Sequence, residues 1–248
     1  MTKIGIIGGS GLDNPDILKN PKDVVVETPY GTLTSPLRSG TIGTNEVLIC
    51  ARHGREHTDP PTQVNYRGNI WALKDQGCDL VLATTAVGSL REKIDRGHLV
   101  ILDQFIDFTR LRPLTFCTEF PPHQPQHTPM AEPFDATLRA ALISCCTKLG
   151  ITHHEKGTVI TIEGPRFSTK AESHMFRAWG ADVINMSVAP ECILACEIGL
   201  PYAAVAMSTD YDCWKDDEAP VTWDDILKTF NENAEKVTNL LVEVISAL

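Results

Sequence analysis

Short apolar runs of strand length recur along this chain, at residues 3–7, 24–26, 46–51, 79–85, 99–106, 157–163, 183–186 and 202–207. Several are rich in β-branched residues, and most stop at a glycine or a polar cluster, as buried strands do. Between them, apolar residues fall at helical spacing. Val64, Ile70 and Leu73 share one face of a helix that Gly77 ends, and Leu138, Leu142, Cys145 and Leu149 mark another over 135–149. Thr169-Lys170-Ala171-Glu172 reads as a capping box, a helix is expected from near Pro190, and the last opens near Thr222 with Ile226, Phe230, Ala234, Val237, Leu241 and Val244 on one stripe. Strands alternating with helices predict an α/β fold: one domain over residues 1–248, with a central mixed, largely parallel β-sheet flanked by helices.

Two stretches break the pattern. Residues 29–43 are turn-rich and are expected to form a connection. Residues 112–133 hold six prolines and two histidines, His123 and His127, and cannot build a core of their own. They read as a long excursion that packs on something else, such as another subunit.

In α/β sheets ligands sit beyond the carboxyl ends of the strands. Polar residues fall at that place repeatedly: Ser10, Arg52-His53, Thr85, Ser168, Ser187 and Asp210. Six such coincidences predict a single cleft.

Composition narrows what the cleft can bind. The chain is 42% hydrophobic with a net charge of −10, so nucleic acid and membrane surfaces are disfavoured as partners. No apolar stretch is long enough to span a bilayer, and Met1-Thr2-Lys3 leads directly into the first strand. Eight scattered cysteines without a Cys-x-x-Cys pair suit buried thiols in a reducing compartment, so the cytoplasm is expected.

The chemistry-bearing residues each leave two readings open. Gly8-Gly9-Ser10-Gly11-Leu12 is either an anion-binding nest of backbone N–H groups or a plain turn. Arg52 and His53 bring positive charge to a strand end, for an anion or for an ion pair. Thr85 and Ser187 offer small hydroxyls to phosphate or ribose, or cap a helix. His53-Gly54-Arg55-Glu56-His57 fits His-x-x-Glu-His, but a zinc site of that kind needs a helix, and Gly54 with Pro60-Pro61 argues against one; no metal is expected. Asp210-Tyr211-Asp212 is the sharpest signal. Two carboxylates two apart at a strand end point the same way, and such pairs separate in pKa so that one keeps its proton. Solvated acids, a helix cap or a metal site are the other readings.

Gly8-Gly9-Ser10-Gly11-Leu12, Ala51-Arg52-His53-Gly54, the run from Val64 to Lys74, Glu163-Gly164-Pro165-Arg166-Phe167-Ser168, the run from Ala181 to Ser187 and the run from Ser208 to Trp214 together resemble the trimeric purine nucleoside phosphorylase family over nearly the whole chain. Within it the sequence is most similar to members that act on 5′-methylthioadenosine. The resemblance implies the nucleoside phosphorylase fold and phosphorolysis of 5′-methylthioadenosine to adenine and 5-methylthioribose 1-phosphate. Inorganic phosphate is then a co-substrate and no cofactor is needed. Ser10, Arg52, His53, Thr85 and Ser187 match phosphate positions. Phe167 and Ser168 match purine contacts, and Met186 the ribose floor. His57 and, from a neighbouring subunit, His127 match positions near the 5′ substituent, and Trp223, Ile226 and Leu227 match the helix lining its pocket. Asp210, protonated, donates to purine N7, while Asp212 serves the 6-amino group. Members acting on 6-oxopurines tend to carry asparagine where Asp210 stands, which implies adenine-type specificity here. The resemblance also implies a homotrimer, or a dimer of trimers. The alternatives are a phosphorylase of broader purine specificity and a nonenzymatic nucleoside-binding protein.

Overall fold

The computed structural model describes residues 2–8, 16–217 and 222–248, apart from the Trp223 side chain. Its strands are β1 (Lys3–Gly8), β2 (Lys19–Val24), β3 (Leu37–Ile42), β4 (Asn45–Ala51), β5 (Leu80–Ser89), β6 (Leu99–Ile101), β7 (Gln104–Phe108), β8 (His153–His154), β9 (Thr158–Ile162), β10 (Val183–Asn185) and β11 (Tyr202–Tyr211). The helices are α1 (Tyr66–Asp75), α2 (Ala136–Lys148), α3 (Lys170–Ala178), α4 (Val188–Glu197) and α5 (Trp223–Ala247). The strands form one sheet in the order β2-β3-β4-β1-β5-β10-β9-β7, with β11 pairing β5 and β6, and β6 pairing β8. The pairs β1–β4, β1–β5, β5–β11, β6–β8, β7–β9 and β9–β10 are parallel; β2–β3, β3–β4, β5–β10 and β6–β11 are antiparallel. The sheet is mixed and largely parallel, as the alternation predicts.

Helices cover both faces, so the central strands read as continuous apolar runs. Ile70 and Leu73 of α1, with Val188, Cys192 and Leu194 of α4, pack with Ile7, Val81 and Ala204 on one face. Leu138 and Leu142 of α2, with Phe230, Val237, Leu241 and Val244 of α5, pack with Ile6, Leu82 and Val205 on the other. The capping box at Thr169 and Glu172 forms, and Thr222 caps α5.

Four boundaries depart from the sequence reading. The turn-rich stretch 29–43 contains β3, an antiparallel partner of β4. The apolar triplet at 24–26 lies at and beyond the end of β2, whose five preceding residues are exposed. The single run at 99–106 is two strands, β6 and β7. Most consequential, β5 and β11 continue past the predicted strand ends at residues 85 and 207, through residues 86–89 and 208–211. These extensions pair with each other and carry the site.

Candidate active site

A cleft of about 770 Å³, counted with its open mouth, lies along the last half of β5 and β11 and the ends of β4, β9 and β10. Of the residues predicted for the site, it gathers Arg52, His53, Thr85 and Ser187; Phe167, Ser168, Met186, His57 and Ile226; and Asp210 and Asp212. Ser10 and the glycine loop around it lie outside the described residues, as does the Trp223 side chain. Leu227 is half-buried beside Ile226 without lining the cleft. His127 is exposed on the proline-rich excursion, its ring 5.9 Å from that of Phe120.

Arg52 stands at one end, fully desolvated. Its Nε and Nη2 donate to the two carboxylate oxygens of Glu191, the second at 2.9 Å, and its Nη1 donates to the Thr84 carbonyl at 2.9 Å. The ion-pair reading of Arg52 is therefore correct, but the pair is buried rather than on the surface. Burial opposes the charge on Arg52, and Glu191 more than offsets it, so the guanidinium stays ionised. Tyr202 holds Glu191 from behind with a 2.7 Å bond. Three of the five guanidinium N–H groups are spent on protein, which leaves two for a ligand.

Beside Arg52 lies a set of hydroxyls. Asn185 Nδ2 donates to Thr85 Oγ1 at 3.2 Å, and Thr161 Oγ1 donates to Asn185 Oδ1 at 2.8 Å. The Thr85 and Ser187 hydroxyls are 3.4 Å apart. Ser187 is the N-cap residue of α4, yet its side chain makes no capping bond, so the hydroxyl is not committed to the helix. His53 Nδ1 contacts the Asp59 carbonyl at 2.8 Å; a carbonyl only accepts, so this nitrogen carries the proton. The His53 and His57 rings stack with centroids 4.4 Å apart. Gly54 has φ +79° and His57 φ +54°, and the intervening residues are turns. The helix that a His-x-x-Glu-His zinc site requires is not formed by these residues.

At the other end are the two acids, both buried. Asp210 lies within β11, not after it. A bulge between Ser208 and Asp210 leaves Thr209 outside the ladder and sets Asp210 opposite Gly88. Thr209 then donates to Asp210 Oδ1 at 2.7 Å. Burial pushes the Asp210 carboxyl up to about 6; the Thr209 bond opposes this and the charge of Asp212 adds to it. Asp212 accepts the Ser168 hydroxyl, 2.7 Å from each carboxylate oxygen. The two carboxylates are thus differently held, and neither is a solvated loop acid.

Thr85 and Gly88 are three residues apart on β5. At about 3.3 Å per residue, the hydroxyl cluster and the acids are separated by about 10 Å along the strand. Met186 lines the cleft just after the end of β10. Gly164, at φ +67°, permits its approach, since a Cβ there would fall 2.4 Å from Met186 Sδ.

Residues 3–246 match the family model described as the phosphorylase superfamily. The chain belongs to the phosphorylase superfamily. The S-methyl-5′-thioadenosine phosphorylase of Xenopus tropicalis is 56% identical over 246 residues, covering 98% of this chain and 88% of the relative. That of Danio rerio is 54% identical over 245 residues, with the same coverage of 98% and 88%. Among solved structures, the Schistosoma mansoni methylthioadenosine phosphorylase in complex with adenine superposes with a TM-score of 0.94 at 40% identity, over 100% of this chain and 92% of that one. A point variant of the Schistosoma mansoni adenosine/methylthioadenosine phosphorylase, in complex with methylthioadenosine, gives 0.93 at 39% identity, over 100% and 91%.

Sequence reasoning missed several residues that line or support this cleft. Glu191 was within reach: it is a lone acid in the otherwise apolar stretch Val188–Leu194, one turn after Ser187, and such an acid needs a buried partner. Asn185 and Gly88 sit inside strands and leave no periodic trace. Arg112, at the root of the excursion, gives no local signal either.

Proposed function

We propose that this chain cleaves 5′-methylthioadenosine by phosphorolysis, giving adenine and 5-methylthioribose 1-phosphate. The carrying observation is that the Arg52 cluster and the Asp210–Asp212 pair share one cleft. The separation of about 10 Å along β5 suits a nucleoside lying between an anion and a proton donor. The names and ligands of the similar phosphorylases support the same substrate.

In this reading Arg52, His53, Thr85, Ser187 and Ser10 bind phosphate. A phosphate oxygen attacks C1′ as the bond from C1′ to N9 breaks, and the electron pair leaves with the purine. The transition state carries positive charge on the sugar and negative charge on the base. Phosphate stabilises the first, and Asp210 delivers its proton to N7 to neutralise the second. Asp212, fixed by Ser168, accepts from the 6-amino group directly or through water. Phe167 covers the base, Met186 floors the ribose, and His57, Ile226 and a neighbour's His127 surround the 5′ group. Phosphate is a co-substrate, and no cofactor or metal has a part.

The site carries two carboxylates where a 6-oxopurine would need an amide donor, which favours 6-aminopurines. The name of the Schistosoma mansoni relative includes adenosine, so a broader 6-aminopurine range is the second reading. We propose a homotrimer, or a dimer of trimers, as the family resemblance implies; the exposed Leu111 and Phe120 on the irregular segment between β7 and α2 offer an apolar face for a neighbouring subunit. Eight free thiols support a cytoplasmic enzyme, and the reaction is one of purine and methionine salvage. Among the described residues no helix is long and apolar enough to cross a membrane.

A substrate panel with and without phosphate tests the reading. Adenine release from methylthioadenosine is expected only with phosphate, with Asp210→Asn losing it. Release without phosphate means hydrolysis, and binding without release means a nonenzymatic binder; either overturns the proposal.

A further inference from the structure

Two arginines are buried beside the cleft, and they use their donors differently. Arg52 keeps two N–H groups in reserve, as befits a ligand-binding side chain. Arg112 keeps none. Its Nε donates to Glu163 Oε1 at 3.1 Å; its Nη1 donates to the Met186 carbonyl at 2.6 Å and to the Tyr66 hydroxyl at 3.0 Å; its Nη2 donates to the Glu163 carbonyl at 2.6 Å and the Ile162 carbonyl at 3.3 Å. Its side chain is 0% exposed. All five guanidinium hydrogens are therefore committed, and such a group can only hold what it touches.

What it touches is the back of the cleft wall. Ile162 and Met186 both line the cleft, and Glu163 leads through Gly164-Pro165 to Phe167 and Ser168. The Tyr66 ring lies 5.0 Å from the Arg112 guanidinium carbon, and its hydroxyl passes the contact on to the Pro61 carbonyl at 3.0 Å. Pro61 also lines the cleft. The Glu163 carboxylate in turn accepts the backbone N–H groups of Arg110 and Leu111 at 2.6 and 3.1 Å, which locks the root of the excursion to the same point.

We propose that Arg112 is a positioning residue for the nucleoside-facing wall: through Tyr66 and the carbonyls of Ile162, Glu163 and Met186 it sets where Met186, Pro61 and the Phe167–Ser168 loop stand. The proposal rests on the phosphorolysis reading and assigns nucleoside placement, but not phosphate binding, to this residue. A planar fork with five directed donors cannot be replaced by a lysine, whose ammonium is a point donor.

The test compares wild type with Arg112→Lys, Arg112→Ala and the milder Tyr66→Phe, all as full chains. Phosphate-dependent turnover by wild type confirms the reading on which the proposal rests. Given that, Arg112→Lys and Arg112→Ala are expected to raise the nucleoside KM about tenfold or more and lower kcat, with the phosphate KM within about twofold of wild type. Tyr66→Phe is expected to shift the nucleoside KM in the same direction by a smaller factor. Low millimolar guanidinium is expected to restore part of the Arg112→Ala activity, while an equal concentration of ammonium restores none. A phosphate KM that rises as much as the nucleoside KM overturns the proposal. So do folded Tyr66→Phe and Arg112→Lys enzymes with wild-type kinetics and only a lowered Tm. If wild type itself fails to turn over, the phosphorolysis reading fails, which is a separate outcome.

Discussion

The Oδ2 atom of Asp210 lies 3.3 Å from the point where a Cβ on Gly88 would stand, and Ile184 Cγ2 crowds the same point at 3.1 Å. Gly88 is thus the space into which the Asp210 carboxylate is folded. Gly88→Ala is expected to keep the core intact and to displace Asp210 by a few tenths of an ångström. Misplacement on this scale lowers kcat by about tenfold, with less effect on the phosphate KM. Steady-state kinetics on the purified variant check this; a wild-type kcat would mean that Asp210 is not positioned through this contact.

Asp210 links activity and stability to pH in the same direction. In the proposed mechanism its proton is needed at the leaving base, and burial raises the carboxyl from 3.8 to about 6. At a fixed concentration of phosphate dianion, kcat/KM of the wild type is expected to fall as pH rises above about 6. Folding keeps the proton on this group to higher pH than the unfolded chain does. The folded state therefore binds more protons between the two values, and stability falls as pH rises from about 4 to about 6. The cost then persists at neutral pH. Asp210→Asn removes it, for a gain of about 1–3 kcal/mol at pH 7.5 and little gain near pH 4. Denaturant melts at the two pH values check the sign.

Ser168 bridges both oxygens of Asp212. Ser168→Ala leaves Asp212 buried with one fewer donor and free to rotate. The nucleoside KM is expected to rise about tenfold, in line with one lost charge-assisted bond, while the phosphate KM stays near wild type. Equal changes in both would place Ser168 elsewhere in the mechanism.

Glu191 has the opposite signature. Glu191→Gln preserves shape but cannot hold Arg52 with two carboxylate oxygens, so the phosphate KM is expected to rise about tenfold with a smaller change for the nucleoside. Glu191→Ala leaves Arg52 buried without its counter-charge and is expected to cost about 3–5 kcal/mol of stability. Thermal unfolding beside steady-state kinetics separates the two effects.

These residues show where sequence reasoning reaches and where it stops. The apolar runs at 3–7, 46–51 and 157–163 are strands because both of their faces are covered, and burial on both faces leaves a continuous apolar signature. The same reasoning stops short at residues 86–89 and 208–211. There the strands line a polar cleft, so their hydroxyls and carboxylates look like loop residues although the backbone ladder continues. β3 was hidden among turn residues because it is a partner strand near the sheet edge with only its end residues buried. Arg52, Asp210 and Asp212 stood out because an isolated charge after an apolar run is informative. Glu191, Asn185 and Arg112 instead contact Arg52, Thr85 and Met186 across 139, 100 and 74 residues of sequence, and no local pattern encodes such partnerships.

The buried pairing of Arg52 with Glu191 also sets what kind of attraction draws the inorganic ion in. With its charge already answered, and on a molecule of net charge −10, Arg52 offers directed bonds at short range rather than a field felt from solution. Uptake of the ion should therefore be governed by tetrahedral shape and oxygen spacing. Added potassium chloride is expected to leave the apparent affinity almost unchanged, and arsenate to replace phosphate as the attacking oxyanion with little loss of rate.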